Sequence, residues 1–317
     1  MGAGPRTAVV AVGGNALTGA GQRGSAEEIA TNAAHMAAAL AGLVRAGCRV
    51  AVVHGNGPQV GNLALQQDAL AGTVPAQPLH QLSAMTQGQL GGVLARAIDV
   101  ECGVGAATCV LTHVVVDPAD PAFAQPTKPI GPFLGHREAE QLVRERGWRV
   151  VEDSGRGWRR MVPSPRPAGI VELAAVRTLL AAGSVVLAAG GGGIAVDVPS
   201  MSPLDAVIDK DLAAAALATA VGADELYLLT GVDSVQLDHG TPQQRAVRRL
   251  DPREAERHLA AGQFPPGSMG PKVTAALEFL RSGGHRAIIT SARLLAAAVD
   301  GDAGTVIARS AMPAVAR

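Results

Sequence analysis

Short runs of β-branched and other apolar residues alternate along the chain with longer stretches whose apolar positions recur at helical spacing, and most of the runs end on glycine. Residues 8–12 stop at Gly13-Gly14-Asn15, which predicts a strand entering a tight turn. Ser25 with Glu28 three positions on makes a capping box, and the helix it opens continues through Leu40 and Leu43 to Gly47. The next run, 50–53, closes on His54-Gly55-Asn56-Gly57-Pro58, with a further helix from near Gln59. A helical stretch over 82–100 leads to 108–116, whose valine content predicts one fully buried strand. A helix over 172–182, a strand over 185–189 ending in Gly190 to Gly193, a helix over 211–221 and a strand over 225–230 continue the alternation. Asp251-Pro252-Arg253-Glu254 is a helix start with Asp as cap and Pro at the first position. A last helix runs from Pro271 to Gly283, before a strand over 287–290.

Repeated βα units predict an α/β fold, a three-layer α/β/α sandwich with a mostly parallel open central sheet. Ligands then bind at the carboxyl ends of the strands, where the glycine clusters lie. Residues 1–317 read as a single domain. Within it, 117–167 differs from its flanks: it holds eight of the 20 prolines, both tryptophans and two of the four phenylalanines. So long a segment without elements of its own is unusual in a compact domain, and it is expected to be a small inserted subdomain protruding from the main sheet.

Composition narrows the function. Hydrophobic residues make up 48% and aromatics 2%, so the core must be built from Ala, Val, Leu and Ile. The formal net charge is zero, with no basic block, which argues against nucleic acid and for small-molecule partners. Cys48, Cys102 and Cys109 lack CxxC spacing, so neither a disulfide framework nor a zinc site is indicated. No apolar run reaches 18 residues, and the first glycine turn comes too early for a signal peptide; a soluble, cytoplasmic protein is expected.

Of 27 basic residues only three are lysines: Lys128, Lys210 and Lys272. All three sit beside Gly, Pro or Asp, and a flexible ammonium that follows a moving phosphoryl group does what a guanidinium does not. No GxxxxGK[ST] occurs, which excludes a P-loop. Gly19, Gly21 and Gly24 satisfy GxGxxG but begin seven residues beyond the strand, and His54 stands where an acidic residue would close the second strand. What remains is a site assembled from several strand ends. Gly13, Gly14 and Asn15, Gly55, Asn56 and Gly57, and Gly191 and Gly192 offer backbone donors on one side, and Lys210 and Lys272 offer charge on the other. Asp211 either orients the lysines or is an ordinary carboxylate at a helix N-terminus, and the same holds for Asp209. His54 reads as a structural residue capping a strand rather than a base.

At these residues the chain resembles the carbamate kinase branch of the amino acid kinase family. AVGGNAL at 11–17, HGNGPQVG at 54–61, VVVDPADPAFAQPTKPIGPF at 114–133 and GRGWRRMVPSPRP at 155–167 carry the likeness. GGGGI at 190–194, AVIDKDLAAA at 206–215, LLTGVD at 228–233 and QFPPGSMGPKV at 263–273 complete it. The resemblance implies a homodimer catalysing ATP + carbamate ⇌ ADP + carbamoyl phosphate, with Mg²⁺ carried by the nucleotide, running toward ATP in arginine breakdown. It implies that Gly13, Gly14, Asn15, Gly55, Asn56 and Gly57 hold carbamate and the phosphoryl group. Lys210 and Lys272 would stabilise the transition state, Asp211 would organise them, and Lys128 would reach over the cleft from the inserted lid. Asp209, Thr230, Val232, Asp233, Met269 and Gly270 would line the nucleotide site. Ala195, Gln236 and Gly270 depart from the common pattern and are expected to touch that site's edges. The rivals are a relative phosphorylating another small carboxylate or phosphonate, and a nucleotide-binding regulator without chemistry.

Overall fold

A computed structural model describes residues 4–309 apart from positions 20, 154 and 266, and the side chain of Asn15 lies outside what it describes. In chain order the first half runs β1 (Thr7–Val12), α1 (Gly14–Leu17), α2 (Ala26–Arg45), β2 (Arg49–His54), α3 (Gly57–Leu70), α4 (Leu79–Cys102), β3 (Ala107–Cys109) and β4 (His113–Val115). Then come α5 (Pro121–Ala124), β5 (Lys128–Leu134), α6 (His136–Arg146), β6 (Arg149–Glu152), β7 (Trp158–Val162) and β8 (Gly169–Ile170). The chain continues through α7 (Leu173–Ala181), β9 (Val185–Leu187), β10 (Ile194–Val196), α8 (Lys210–Val221), β11 (Glu225–Thr230), β12 (Val235–Leu237), β13 (Arg245–Val247) and β14 (Arg249–Leu250). It closes with α9 (Pro252–Ala260), α10 (Met269–Arg281), β15 (Arg286–Ser291), α11 (Leu295–Val299) and β16 (Thr305–Ala308).

Eight strands form the main sheet in the order β14-β16-β15-β11-β1-β2-β9-β3, parallel throughout except where β15 meets β16. Alternation along each strand makes this a three-layer fold. Val9, Ala11, Ala51, Val53 and Val186 face a core shared with α7, α8 and α10, while Ala8, Val10, Val12, Val50, Val52 and Leu187 face α2, α4 and α11. Both capping boxes form as the residues dictate, at Ser25–Glu28 and Asp251–Glu254. The helices placed near Gln59 and at Pro271 each begin two residues earlier, at Gly57 and Met269.

Residues 108–116 do not form the single buried strand expected from their valines. β3 is the outer strand of the main sheet, with Cys109 exposed, whereas β4 belongs to a second, three-stranded sheet between β10 and β8. The side chain of Gln87 on α4 takes both backbone groups of Thr112, its Nε2 donating to the carbonyl at 3.0 Å and its Oε1 accepting from the N–H at 2.9 Å. That grip turns the chain out of the first sheet, and no valine count reports it.

Within 117–167 lies a separate antiparallel sheet, β5-β7-β6, packed with α6 around Leu134, Ala139 and Trp148. It meets the rest of the molecule where α3 crosses β5. A Cβ built on Gly61 would lie 2.0 Å from Gly131 Cα, so helix and strand touch backbone to backbone. At the opposite end of the main sheet from the glycine turns, the buried Glu225 carboxylate binds Arg6 at 3.0 Å, Arg286 at 2.8 Å and the Tyr227 hydroxyl at 2.6 Å. This fully partnered carboxylate ties β1, β11 and β15 together away from the site.

Candidate active site

The carboxyl ends of β1, β2 and β11 open into a cleft of about 970 Å³, with the N-termini of α8 and α10 on one side and the β5-β7-β6 unit on the other. Gly13, Gly14, Gly55, Asn56, Gly57 and Gly191 line it, together with Lys128, Asp209, Lys210, Asp211, Thr230, Gly270 and Lys272. Close approach explains the glycines at two of these positions. A Cβ on Gly55 would lie 2.6 Å from Gly14 N and 3.0 Å from Lys210 Cδ, so the first two strand-end turns meet with only hydrogens between them. Gly191, at φ 67°, presses its α-carbon against the Asn56 carboxamide, where a Cβ would sit 2.3 Å from Nδ2.

The charge at the floor comes from two helix starts. Asp209 caps α8, accepting from the N–H of Asp211 at 2.9 Å, and this places Lys210 and Asp211 in the first turn. Lys272 enters from the first turn of α10. Asp211 lies between the ammonium groups, with one carboxylate oxygen 2.6 Å from Lys210 Nζ and the other 3.0 Å from Lys272 Nζ. Lys272 also donates to the Ser268 carbonyl. Asp211 thus bridges the two ammonium groups from the first turn of α8. Lys128, the first residue of β5, reaches across the cleft to Asp209 Oδ2 at 2.5 Å.

Burial of these charges moves their protonation. Desolvation lowers the Lys210 pKa to about 8, with repulsion from Lys272 adding to it and Asp211 working against both. Burial alone would raise the Asp211 pKa, but the two ammonium groups outweigh it and hold the carboxyl below the usual carboxylate range. His54 is buried beneath Gly190, and desolvation lowers it to about 4 despite its contact with the Gly55 carbonyl at 3.2 Å. It is neutral at pH 7 and lies outside the cleft lining.

Several residues expected at the site are not brought to it. Gly192 packs against the Ile208 carbonyl, which a Cβ there would meet at 2.3 Å, and it does not line the cleft. Val232 is exposed and outside the lining. Asp233 is bonded to Ser291 Oγ at 2.7 Å and to Arg293, which ties the loop after β11 to the end of β15. Met269, the first residue of α10, is partly buried against the core, while its neighbour Gly270 lines the cleft. Ala195 is fully buried in β10, and Gln236 on β12 bonds Ser234, so neither departure touches the cleft; Gly270 does. The Asn15 side chain lies outside the described residues. Conversely, Arg159, Ser164 and Arg166 from the inserted unit, and Leu259 and Phe264 from the end of α9 and its loop, line the cleft and were not singled out. The quoted motifs contained all of these but Leu259, yet nothing in residue type marks which members of a motif face inward.

A cleft walled by bare amides and ammonium groups, with a carboxylate fixing two of the lysines, suits a transferring phosphoryl group. Such transfer needs positioning and charge stabilisation rather than covalent participation by the protein. The sequence model of the amino acid kinase family matches residues 6–291. The chain is 43% identical over 312 residues to a carbamate kinase of Pyrococcus horikoshii, covering 96% of this chain and 99% of that one. It is 44% identical over 309 residues to carbamate kinase 1 of Enterococcus faecium, covering 95% and 98%. The solved structure of a Giardia lamblia carbamate kinase bound to citric acid superposes with a TM-score of 0.92 at 39% identity, covering 96% of this chain and 99% of that one.

Proposed function

Given that this chain belongs to the amino acid kinase family and is a phosphotransferase, we propose that it catalyses ATP + carbamate ⇌ ADP + carbamoyl phosphate. The observation that carries this reading is the buried Lys210–Asp211–Lys272 cluster, which faces the same cleft as the closely apposed glycine turns at Gly14 and Gly55. Toward ATP, a terminal phosphate oxygen of ADP takes the phosphoryl group, the bond between phosphorus and the carbamate oxygen breaks, and that oxygen leaves with the electron pair. Lys210 and Lys272 meet the negative charge on the equatorial oxygens in flight, and Asp211 holds them apart. The turns at Gly13-Gly14 and Gly55-Asn56-Gly57 supply the N–H groups and hold carbamate. Mg²⁺ arrives with the nucleotide as part of the substrate. Thr230, Gly270 and the newly found Leu259 and Phe264 are the surfaces for the nucleotide.

The unit spanning 117–167 serves as a lid over one domain, with Lys128 as its contact to the transferring group. Its ion pair with Asp209 across the cleft supports that role. The working unit is a homodimer in the cytoplasm, and the physiological direction is toward ATP during arginine breakdown. ATP formation from Mg²⁺-ADP and carbamoyl phosphate, run beside acetyl phosphate and a panel of other small acyl phosphates, tests the reading. Carbamoyl phosphate should be preferred by orders of magnitude, and preference for another donor would replace carbamate with that acid.

Lys210 gives the reaction a pH signature. Its charge is needed, and its pKa lies near 8, so the ammonium is intact at lower pH and lost as the pH rises. The kcat/KM profile, which reports the free enzyme, is expected to fall on an alkaline limb centred near 8. A flat profile to pH 10 would show that Lys210 keeps its proton or is not used.

A further inference from the structure

Asn56 occupies the N-cap of α3, where an asparagine ordinarily turns its side chain back onto the first turn. Here it makes no such bond. Its Nδ2 donates instead to Thr86 Oγ1 on α4, 30 residues away, at 2.8 Å. The Thr86 hydroxyl has one hydrogen, and it is committed to the Ser83 carbonyl at 2.8 Å, which can only accept. Thr86 can therefore only accept from Asn56, and this settles which end of the carboxamide faces α4. With Gly191 pressed against the amide plane, the orientation of Asn56 is fixed from two sides. One amide hydrogen is used by Thr86, and the second and the carbonyl oxygen are left to the cleft that Asn56 lines. The same diversion keeps the carboxamide off the α3 N-terminus, where Gly57 lines the cleft and Pro58 has no N–H to cap.

We propose that Thr86, fully buried and absent from the cleft lining, is a positioning residue that holds Asn56 for the small acid rather than for the nucleotide. The inference rests on the reading of Asn56 as part of the carbamate pocket, and it extends that pocket to a residue that touches no substrate. It separates Thr86 from its neighbour Gln87, whose bonds to Thr112 serve the chain path alone.

The test is steady-state kinetics of Thr86→Val and Thr86→Ser with carbamoyl phosphate and Mg²⁺-ADP. Valine keeps the shape and removes the acceptor, and is expected to raise KM for carbamoyl phosphate by about tenfold, the scale of one buried hydrogen bond. KM for ADP should stay within about twofold, and serine should restore wild-type values. If the valine protein does not fold, Thr86→Ala carries the same expectation. In an Asn56→Ala background, Thr86→Val should add nothing, since there is no carboxamide left to hold. An unchanged KM for carbamoyl phosphate, an equal rise for both substrates, or additive losses in the double variant would each overturn the proposal. Wild-type protein inactive with carbamoyl phosphate would instead overturn the reading beneath it.

Discussion

Asp211→Asn is expected to lower turnover by about 10²–10³-fold and to destabilise the fold by about 3 kcal/mol, read by ATP formation and by urea denaturation. Both effects have one cause. The carboxylate separates two ammonium groups at 2.6 and 3.0 Å, and its amide analogue leaves them buried and facing each other without a counter-charge. The escape is for Lys210, already lowered to about 8 by burial, to shed its proton more readily still. The alkaline limb of kcat/KM should then move below 8, which an effect confined to packing would not produce. Stability on the acid side supplies a further check. The Asp211 pKa is depressed in the folded chain, so its contribution is complete above the ordinary value of 3.8 and drains away as the pH falls below it. Wild-type protein should lose stability in that window, and Asp211→Asn should lose less.

Gly61→Ala is expected to cost about 2 kcal/mol and to lower kcat/KM by about tenfold, although alanine is the better helix former. In α3 the new methyl would lie 2.0 Å from Gly131 Cα and 2.1 Å from Gly131 N, both backbone atoms of β5 with no rotamer to change. Helix and strand must part by about 1 Å or more, and β5 carries Lys128 to the cleft. The same substitution at Gly42, inside α2 with open space around it, should be neutral or stabilise by up to about 1 kcal/mol. Equal outcomes at the two glycines, measured by thermal denaturation, would mean that the inserted unit is not seated by this contact.

Why these residues were or were not legible in the sequence follows from how local each signal is. The capping boxes at Ser25 and Asp251 are written in four consecutive residues and formed where they stand. The three lysines stood out against the arginines, and all three converge on one cleft. The split of 108–116 between two sheets depends on Gln87, 25 residues upstream of the Thr112 it grips, and run composition carries no trace of it. Asp233 and Met269 were placed by membership of a motif, yet one is consumed tying β11 to β15 and the other faces the core. Phe264 and Gly270, from the same stretch as Met269, line the cleft. Which side of a loop faces a ligand is decided by packing from distant elements such as α9, and sequence spacing does not encode that.

The most direct test of lysine-borne phosphoryl transfer is the single-turnover rate of ATP formation by Lys272→Arg and Lys210→Arg. Arginine keeps the positive charge but not the compact ammonium that Asp211 holds within 3.0 Å. The account predicts rates lowered by about 10²-fold or more in folded protein. Wild-type rates in either variant would contradict it.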